Sequence, residues 1–201
     1  MARRSDHSRE ELYEMVLAEA RKIVEAEGLS ALTARRIGEA IGYSPGTLYN
    51  IFENLDDVIV HLNGRTLDDL YAHLAEVEFA GDPENDLDSL LARYLDFLDS
   101  NRNLWRVLFD FRMSAGRQLP DWFLHKVGAV LGLVEDALSP LFHGESRKAG
   151  DSARILWAGL HGICTLAETG KLQIVTSQTL RAMTGELVSN FVGGLRAGRS
   201  A

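Results

Sequence analysis

The segment at residues 44–50 combines small and hydrogen-bonding side chains in the order Ser-Pro-Gly-Thr-Leu-Tyr-Asn. Leu48 and Phe52 are four positions apart, so on a helix they lie on the same face and pack inward together. The side chains that then project outward are Gly46, Thr47, Tyr49 and Asn50. A short helix with such a face suits hydrogen bonding to base edges in the DNA major groove. An ordinary helical hairpin has the same spacing, so the spacing alone leaves both interpretations open.

A second short helix must precede this segment and hold it in place. Thr33 is an N-cap residue type, and the apolar positions up to Ile41 give that helix an inner face. Gly42 supplies a left-handed backbone conformation for the turn. Ser44 is then expected to cap the next helix, with Pro45 at its first position. The pattern predicts two helices joined by a tight turn.

Apolar residues recur at helical spacing along nearly the whole chain, and no stretch shows the sustained alternation of a strand. The sequence therefore predicts an all-α fold of about nine helices. Their predicted ranges are 8–27, 33–41, 44–52, 54–79, 84–99, 101–114, 120–138, 146–169 and 176–197.

Charge is distributed unevenly along the chain, whose net charge is −8 at pH 7. Residues 1–52 contain seven basic and eight acidic side chains, whereas residues 53–201 contain fourteen and twenty-one. A nearly neutral N-terminal part attracts DNA only weakly, so a nucleic-acid-binding function would depend on where the basic residues lie. There is no secretory signal pattern and no apolar stretch of membrane-spanning length, and the single Cys164 lies in an apolar run. We expect a cytoplasmic protein with a buried thiol.

From about Arg9 to Asp57 the sequence resembles the DNA-binding domain of the TetR family of bacterial regulators. The family pattern is a long helix, Gly-x-x-x-x-Thr, a short helix, Gly-x-Ser-x-Gly-Thr-Leu-Tyr, then Phe and a capped fourth helix. The matching residues are Gly28, Thr33, Ile37, Gly42, Ser44, Gly46, Thr47, Leu48, Tyr49, Phe52 and Asn54. The resemblance implies a helix-turn-helix DNA-binding domain at 1–53 and an effector-binding and dimerisation domain at 54–201. It also implies a ligand-responsive regulator, more often a repressor, that binds a double-stranded operator as a homodimer.

The resemblance also implies a role for individual residues. Thr33 and the NH groups after it bind a phosphate, while Arg35 or Arg36 reaches the DNA and the other is a solvated charge. The reading surface consists of Ser44, Gly46, Thr47, Tyr49 and Asn50. Arg3 and Arg4 form either a minor-groove arm or an unstructured tail.

Two positions depart from the family pattern. Ile51 and Leu55 stand where members often carry His and Lys, both of which contact phosphate. Because counterion release scales with the number of phosphates neutralised, we expect a shallower salt dependence of DNA binding than in a member that retains both.

Large aromatic side chains are frequent after Phe52, and most of them suit a hydrophobic core. A regulator also needs a cavity, and aromatic residues on converging helices suit one for an apolar effector. The candidate lining residues are Trp105, Phe109, Met113, Trp122, Phe123 and His161. His161 belongs to Trp157-x-x-x-His161-Gly162, which is similar to a Trp-His-Gly signature in some C-terminal domains of the family; tight packing is the simpler explanation of this motif.

The last two long helices carry apolar and small residues at helical spacing. In the resembled family such helices from two subunits form a four-helix interface, although an internal core would give the same stripe. The candidate interface residues are Ile155, Gly159, Gly162, Leu180, Met183, Leu187 and Phe191.

Other classes of protein fit the sequence less well. A phosphate-binding loop and a His-Glu-x-x-His motif are absent, and the six histidines are too far apart for a local metal motif. We expect neither an enzyme nor a metal or cofactor site. The alternative that remains is a helical protein-interaction module whose DNA-binding domain is vestigial.

Overall fold

The computed structural model describes residues 7–114 and 118–198, which contain ten α-helices and no strand. The helices are α1 (Arg9–Glu27), α2 (Ala34–Ile41), α3 (Pro45–Leu48), α4 (Leu55–Leu74), α5 (Pro83–Ser100), α6 (Arg102–Asp110), α7 (Asp121–Leu138), α8 (Ser146–Glu168), α9 (Leu172–Val175) and α10 (Leu180–Ala197). Two 3₁₀ helices span Leu29–Ala31 and Ser139–Leu141. The all-α prediction is confirmed. Within the described residues, no helix has the length and apolar character needed to cross a membrane.

Several helix ends differ from the predicted ranges: α3 ends at Leu48 and not at residue 52, α6 ends at Asp110 and not at 114, and α10 begins at Leu180 and not at 176. The helix expected at 54–79 ends at Leu74. The one-turn helix α9 was not predicted, because a single turn is too short to show a helical period. Leu172 is buried and anchors this turn through its side chain.

Local capping explains where the first helices begin and end. Ser8 and Glu11 form a reciprocal capping box at the start of α1, and Gly28, with φ of 79°, ends it. Asn54 Oδ1 accepts a hydrogen bond from the Asp57 backbone NH at 2.9 Å and so caps the start of α4, which begins at Leu55. These short-range interactions fix the helices on either side of the helix-turn-helix segment.

The chain divides into two compact units. The first unit comprises residues up to Asp69 together with Leu98–Lys126, and the second comprises Leu70–Phe97 together with the residues from Val127 onward. The boundary predicted between residues 53 and 54 concerns functional domains and stays a prediction.

Each unit has its own buried apolar side chains. The core of the first unit is formed by Val16, Leu17, Ala20, Ile23, Val24, Leu32, Ile37, Leu48, Phe52, Val58, Ile59, Leu62, Leu104 and Val107. In the second unit α8 packs against α10. Cys164 of α8 is buried, as expected from its apolar neighbours, and burial raises the pKa of its thiol to about 12.

Candidate nucleic-acid interface and ligand cavities

The turn between α2 and α3 is tight because two glycines permit it. Gly42 adopts a left-handed conformation with φ of 78°, as predicted. The Tyr43 backbone NH donates to the Gly38 carbonyl at 2.8 Å. A Cβ on Gly38 would lie 2.7 Å from the Tyr43 carbonyl oxygen, closer than such atoms approach. The backbone of the turn can therefore reach α2 only where α2 lacks a side chain.

Residues 44–52, which we call the recognition segment, are anchored through their buried side chains. Leu48 and Phe52 are buried in the core of the first unit, as their spacing predicted. The helix α3 is a single turn, and the Ile51 and Phe52 NH groups continue it by donating to the Leu48 carbonyl at 3.0 and 2.9 Å. The backbone after α3 thus continues in hydrogen-bonded turns as far as Phe52, whose side chain is buried.

Ser44 occupies the N-cap position of α3 but makes no side-chain capping bond to the backbone. Its hydroxyl instead lies 3.1 Å from the Thr47 hydroxyl. The predicted capping by the Ser44 side chain is therefore wrong. Backbone pairing closes the turn in its place, since the Thr47 NH donates to the Ser44 carbonyl at 2.9 Å.

The opposite side of the recognition segment faces solvent. Tyr49 is 50% exposed, Gly46 and Asn50 are also exposed, and Ser44 and Thr47 are partly so. Within the described residues of the unit, this polar face is not covered by a neighbouring element. It is available to a major groove, where donors and acceptors distinguish the base pairs.

The two arginines of α2 take part in ion pairs. Arg35 donates to Glu39 at 2.7 Å within α2. Arg36 holds both carboxylate oxygens of Glu27, at the end of α1, and these hydrogen bonds lower the pKa of Glu27. Thr33 Oγ1 accepts the Arg36 backbone NH at 3.2 Å and caps α2. The DNA contacts predicted for Thr33, Arg35 and Arg36 stay predictions. Arg3 and Arg4 lie outside the described residues.

An aromatic cluster lies behind the recognition segment in the first unit. The Tyr13 ring stacks on Phe52 with centroids 5.2 Å apart, and its hydroxyl lies 2.9 Å from His61 Nδ1. His61 stacks on Trp122 at 5.0 Å, and burial lowers the pKa of its imidazole. A Cβ on Gly64 would lie 2.6 Å from the Trp122 ring. Trp122, predicted to line an effector pocket, packs in this cluster and also lines a surface crevice of about 500 Å³ together with charged side chains such as Glu14 and Lys126.

The first unit contains an apolar crevice of about 320 Å³. Two of the predicted effector-pocket residues, Met113 and Phe123, line it. The other lining residues are Val60, Asn63, Leu108, Phe111 and Leu119. Trp105 is buried and packs beside Phe109 with centroids 4.9 Å apart; neither residue lines this crevice.

The second unit contains a smaller and entirely different cavity of about 50 Å³. It is lined by Leu74, Leu87, Leu90, Leu91, Tyr94, Val130, Leu131, Val134, Leu156, Trp157, Leu160 and Val188. None of the six predicted pocket residues is among them. His161 lies one turn beyond Trp157 and stacks on its indole at 5.1 Å, nearly parallel. The lining residues of α5 recur at helical spacing, which is equally typical of any core-facing helix, and the sequence analysis did not single out its leucines.

The residues predicted to form a dimer interface lie on α8 and α10. Ile155 is 64% exposed, and Gly159 and Gly162 are also on the exposed side of α8. A Cβ on Gly159 would lie 3.0 Å from Leu187 Cδ2, so this glycine permits the close packing of α8 on α10 within the chain. The α10 residues Leu180, Met183, Leu187 and Phe191 are partly exposed.

The sequence Gly42-Tyr-Ser44-Pro-Gly46 also matches the Gly-x-Ser-x-Gly pattern of hydrolase nucleophile elbows. That motif requires a strand before the serine and a base that takes its proton. Here α2 precedes the serine, and the Ser44 hydroxyl pairs with Thr47. The segment is built as a turn between helices, and among the described residues no group of His, Cys, Asp or Glu converges as a metal site.

The fold and the exposed face of α3 define a helix-turn-helix protein with additional helices. Residues 16–62 match the family model described as bacterial regulatory proteins, tetR family, and residues 87–189 match the model described as tetracyclin repressor-like, C-terminal domain. The chain belongs to the TetR family and is a DNA-binding transcriptional regulator. The resemblance seen in the sequence is confirmed.

Several solved structures are similar to the chain. A protein of unknown function from Rhodococcus sp. RHA1 is 19% identical with a TM-score of 0.70, the match covering 96% of this chain and 98% of that one. A tetR-family transcriptional regulator from Streptomyces coelicolor is 21% identical with a TM-score of 0.60, covering 94% and 81%. The fatty acid degradation regulator FadR from Bacillus halodurans is 19% identical with a TM-score of 0.58, covering 92% and 96%. No curated protein matches the sequence significantly.

Proposed function

We propose that the chain is a cytoplasmic, non-enzymatic repressor that binds a palindromic operator as a homodimer and is released by a small, largely apolar effector. The observation that carries this proposal is the polar face of residues 44–50, where Tyr49 and Asn50 directly follow α3 and are exposed while Leu48 is buried. A helix presented in this way fits the major groove, where its side chains read base edges.

The small number of base pairs that one recognition helix can contact supports a homodimer. A single short helix contacts few base pairs, and two copies about 34–36 Å apart reach successive major grooves on one side of the duplex. The exposed apolar and small residues of α8, with Ile155 as the largest, are the proposed contact between the two chains. A symmetric pair of this kind reads a palindrome, because the protein's two-fold axis is matched by that of the DNA.

Effector control follows from linkage between two sites. In one form of the proposed dimer the recognition helices no longer match the operator spacing. An effector that binds better to this form shifts the population away from the DNA-bound form. DNA binding weakens effector binding by the same factor, because the coupling is reciprocal. Apolar linings in both units support an apolar effector. The similar FadR is named for its regulation of fatty acid degradation, which is consistent with such chemistry.

Selection of bound genomic fragments tests this function. The purified chain is incubated with sheared genomic DNA, and the bound fragments are sequenced. We expect enrichment of one palindromic sequence, and we expect the enrichment to be lost in a chain carrying both Tyr49→Ala and Asn50→Ala. The double change Tyr71→Ala and Asn85→Ala, at two exposed residues outside the reading surface, is the matched control and should leave the enrichment unchanged.

The second candidate function is a helical interaction module whose DNA-binding domain is vestigial. Ile51 and Leu55 replace two phosphate-contacting residue types, and the side chains of Arg35 and Arg36 are held by Glu39 and Glu27. If fragment selection with the wild-type chain yields random sequences only, this second function replaces the first.

A further inference from the structure

Size distinguishes the two cavities whose lining side chains are mostly apolar; the two larger crevices of the first unit, of about 520 and 500 Å³, are lined in part by charged side chains. Sites for small molecules occupy about 300–1,000 Å³. The crevice of the first unit, at about 320 Å³, falls within this range, whereas the cavity of the second unit, at about 50 Å³, does not. Of these two, only the crevice has the volume of a site for a molecule of one or two rings.

One residue of the crevice is polar and deeply buried. Asn63 on α4 is 3% exposed, and its Nδ2 donates to the Val107 carbonyl at 3.3 Å. This hydrogen bond fixes the orientation of the amide, because only the NH₂ group can pair with a carbonyl. Asn63 Oδ1 is left without a hydrogen-bond partner among the described residues.

A buried acceptor without a partner is unfavourable, so its presence calls for an explanation. The Val107 carbonyl does not depend on Asn63, because it also accepts the Phe111 backbone NH at 3.2 Å. An apolar residue at position 63 would therefore leave no backbone group unpaired at Val107. The amide is dispensable for that carbonyl, and its free oxygen is the feature that a ligand can use.

We propose that this crevice binds a small, predominantly apolar molecule that carries one hydroxyl or NH group, which donates a hydrogen bond to Asn63 Oδ1. The remaining lining side chains are apolar and contact the rest of the ligand. Because Oδ1 is covered in the free chain, the ligand must displace a neighbouring side chain. Met113, which is unbranched and flexible, is suited to that movement. The role of this crevice as the effector site rests on the proposed function.

The position of the crevice relates it to the recognition segment. Val107 belongs to the same core as Leu48 and Phe52, and the crevice residues Val60 and Asn63 lie on α4, whose Val58, Ile59 and Leu62 also belong to that core. A ligand that moves the side chains around Asn63 therefore acts within the unit that holds α3.

Two probes test the site, of which one carries a hydroxyl donor and the other has that hydroxyl capped by a methyl group. Binding of 2-naphthol and of 2-methoxynaphthalene to the full chain is measured by titration calorimetry in the absence of DNA. We expect 2-naphthol to bind at least tenfold more tightly, because its hydroxyl satisfies a buried acceptor. Asn63→Leu should abolish this difference. The matched control is Asn103→Leu, since Asn103 lies in the same unit and donates to the Glu25 carbonyl at 2.9 Å but does not line the crevice.

A local readout removes any dependence on how well a variant folds. The methyl group of Met113 in the unmodified chain is followed by NMR, with Met15 and Met183 as internal references outside the crevice. We expect 2-naphthol to shift the Met113 signal selectively. Equal affinity for the two probes, or no shift at Met113, would overturn the proposal and leave an ordered water as the partner of Asn63. Because no DNA is present, failure here is distinct from failure of operator binding.

Discussion

The exposed faces of α3 and α8 differ in the side chains that they present. The single turn of α3 is followed by exposed Tyr49 and Asn50, whereas the 23-residue α8 exposes Ile155 beside Gly159 and Gly162. Polar groups on a narrow helix can satisfy the donors and acceptors of a DNA groove. Small apolar groups on a long helix allow another helix to approach closely and bury its surface. The comparison is the basis on which we propose DNA as the partner of the first face and a second copy of the chain as the partner of the other.

The strongest test of this contrast is to place a charge on the exposed face of α8. We expect Ile155→Glu to separate the proposed homodimer, since a carboxylate at an apolar contact would lose its hydration. Operator affinity should then fall by about 10²–10⁴, the gain that linking two binding sites provides. Sedimentation and DNA-binding titration measure the two effects.

The control for that variant is Ile174→Glu, at an isoleucine of α9 that is 80% exposed. It adds the same charge to a similarly apolar surface position. If Ile155→Glu remained dimeric while Ile174→Glu dissociated, α8 would lose its assignment as the interface in favour of α9.

The next largest effect should come from the turn that presents α3. We expect Gly38→Ala to lower the free energy of unfolding by about 1–3 kcal/mol, because the new methyl group would press on the backbone at Tyr43. Gly46→Ala is the control, as its nearest neighbour would be Ser44 Oγ at 3.8 Å. Urea unfolding measures both, and an equal loss would show that close approach at Gly38 is not what constrains the turn.

The same contrast explains what could be predicted from the sequence. The helix-turn-helix follows from local signals such as the Thr33 cap and the Gly42 turn, which act within a few residues. The cavity of the second unit depends on which faces of distant helices converge, and no local signal reports this. Trp122 illustrates the difficulty, because its packing against His61 depends on the absence of a side chain at Gly64, far away in sequence.

A smaller effect is expected for one side chain of the reading surface. Asn50→Ala should weaken operator binding by about 1 kcal/mol, the lower end of what a base contact contributes, and should relax the preference at one base position. Binding to a set of operators with single substitutions measures this. Asn85→Ala on α5 is the matched control, and an equal loss of affinity for every operator would identify Asn50 as a backbone contact instead.

The smallest effect concerns the phosphate contacts for which the sequence lacks the usual residues. Leu55→Lys restores a cation at the first residue of α4, where the stem of the lysine can cover the apolar surface that Leu55 contacts. We expect the slope of log affinity against log salt to steepen by about 0.9, the value for one additional neutralised phosphate. Leu55→Gln, of similar length without the charge, should leave the slope unchanged. An unchanged slope for Leu55→Lys would mean that position 55 does not face DNA. The DNA-facing surface would then include the recognition segment but not the start of α4.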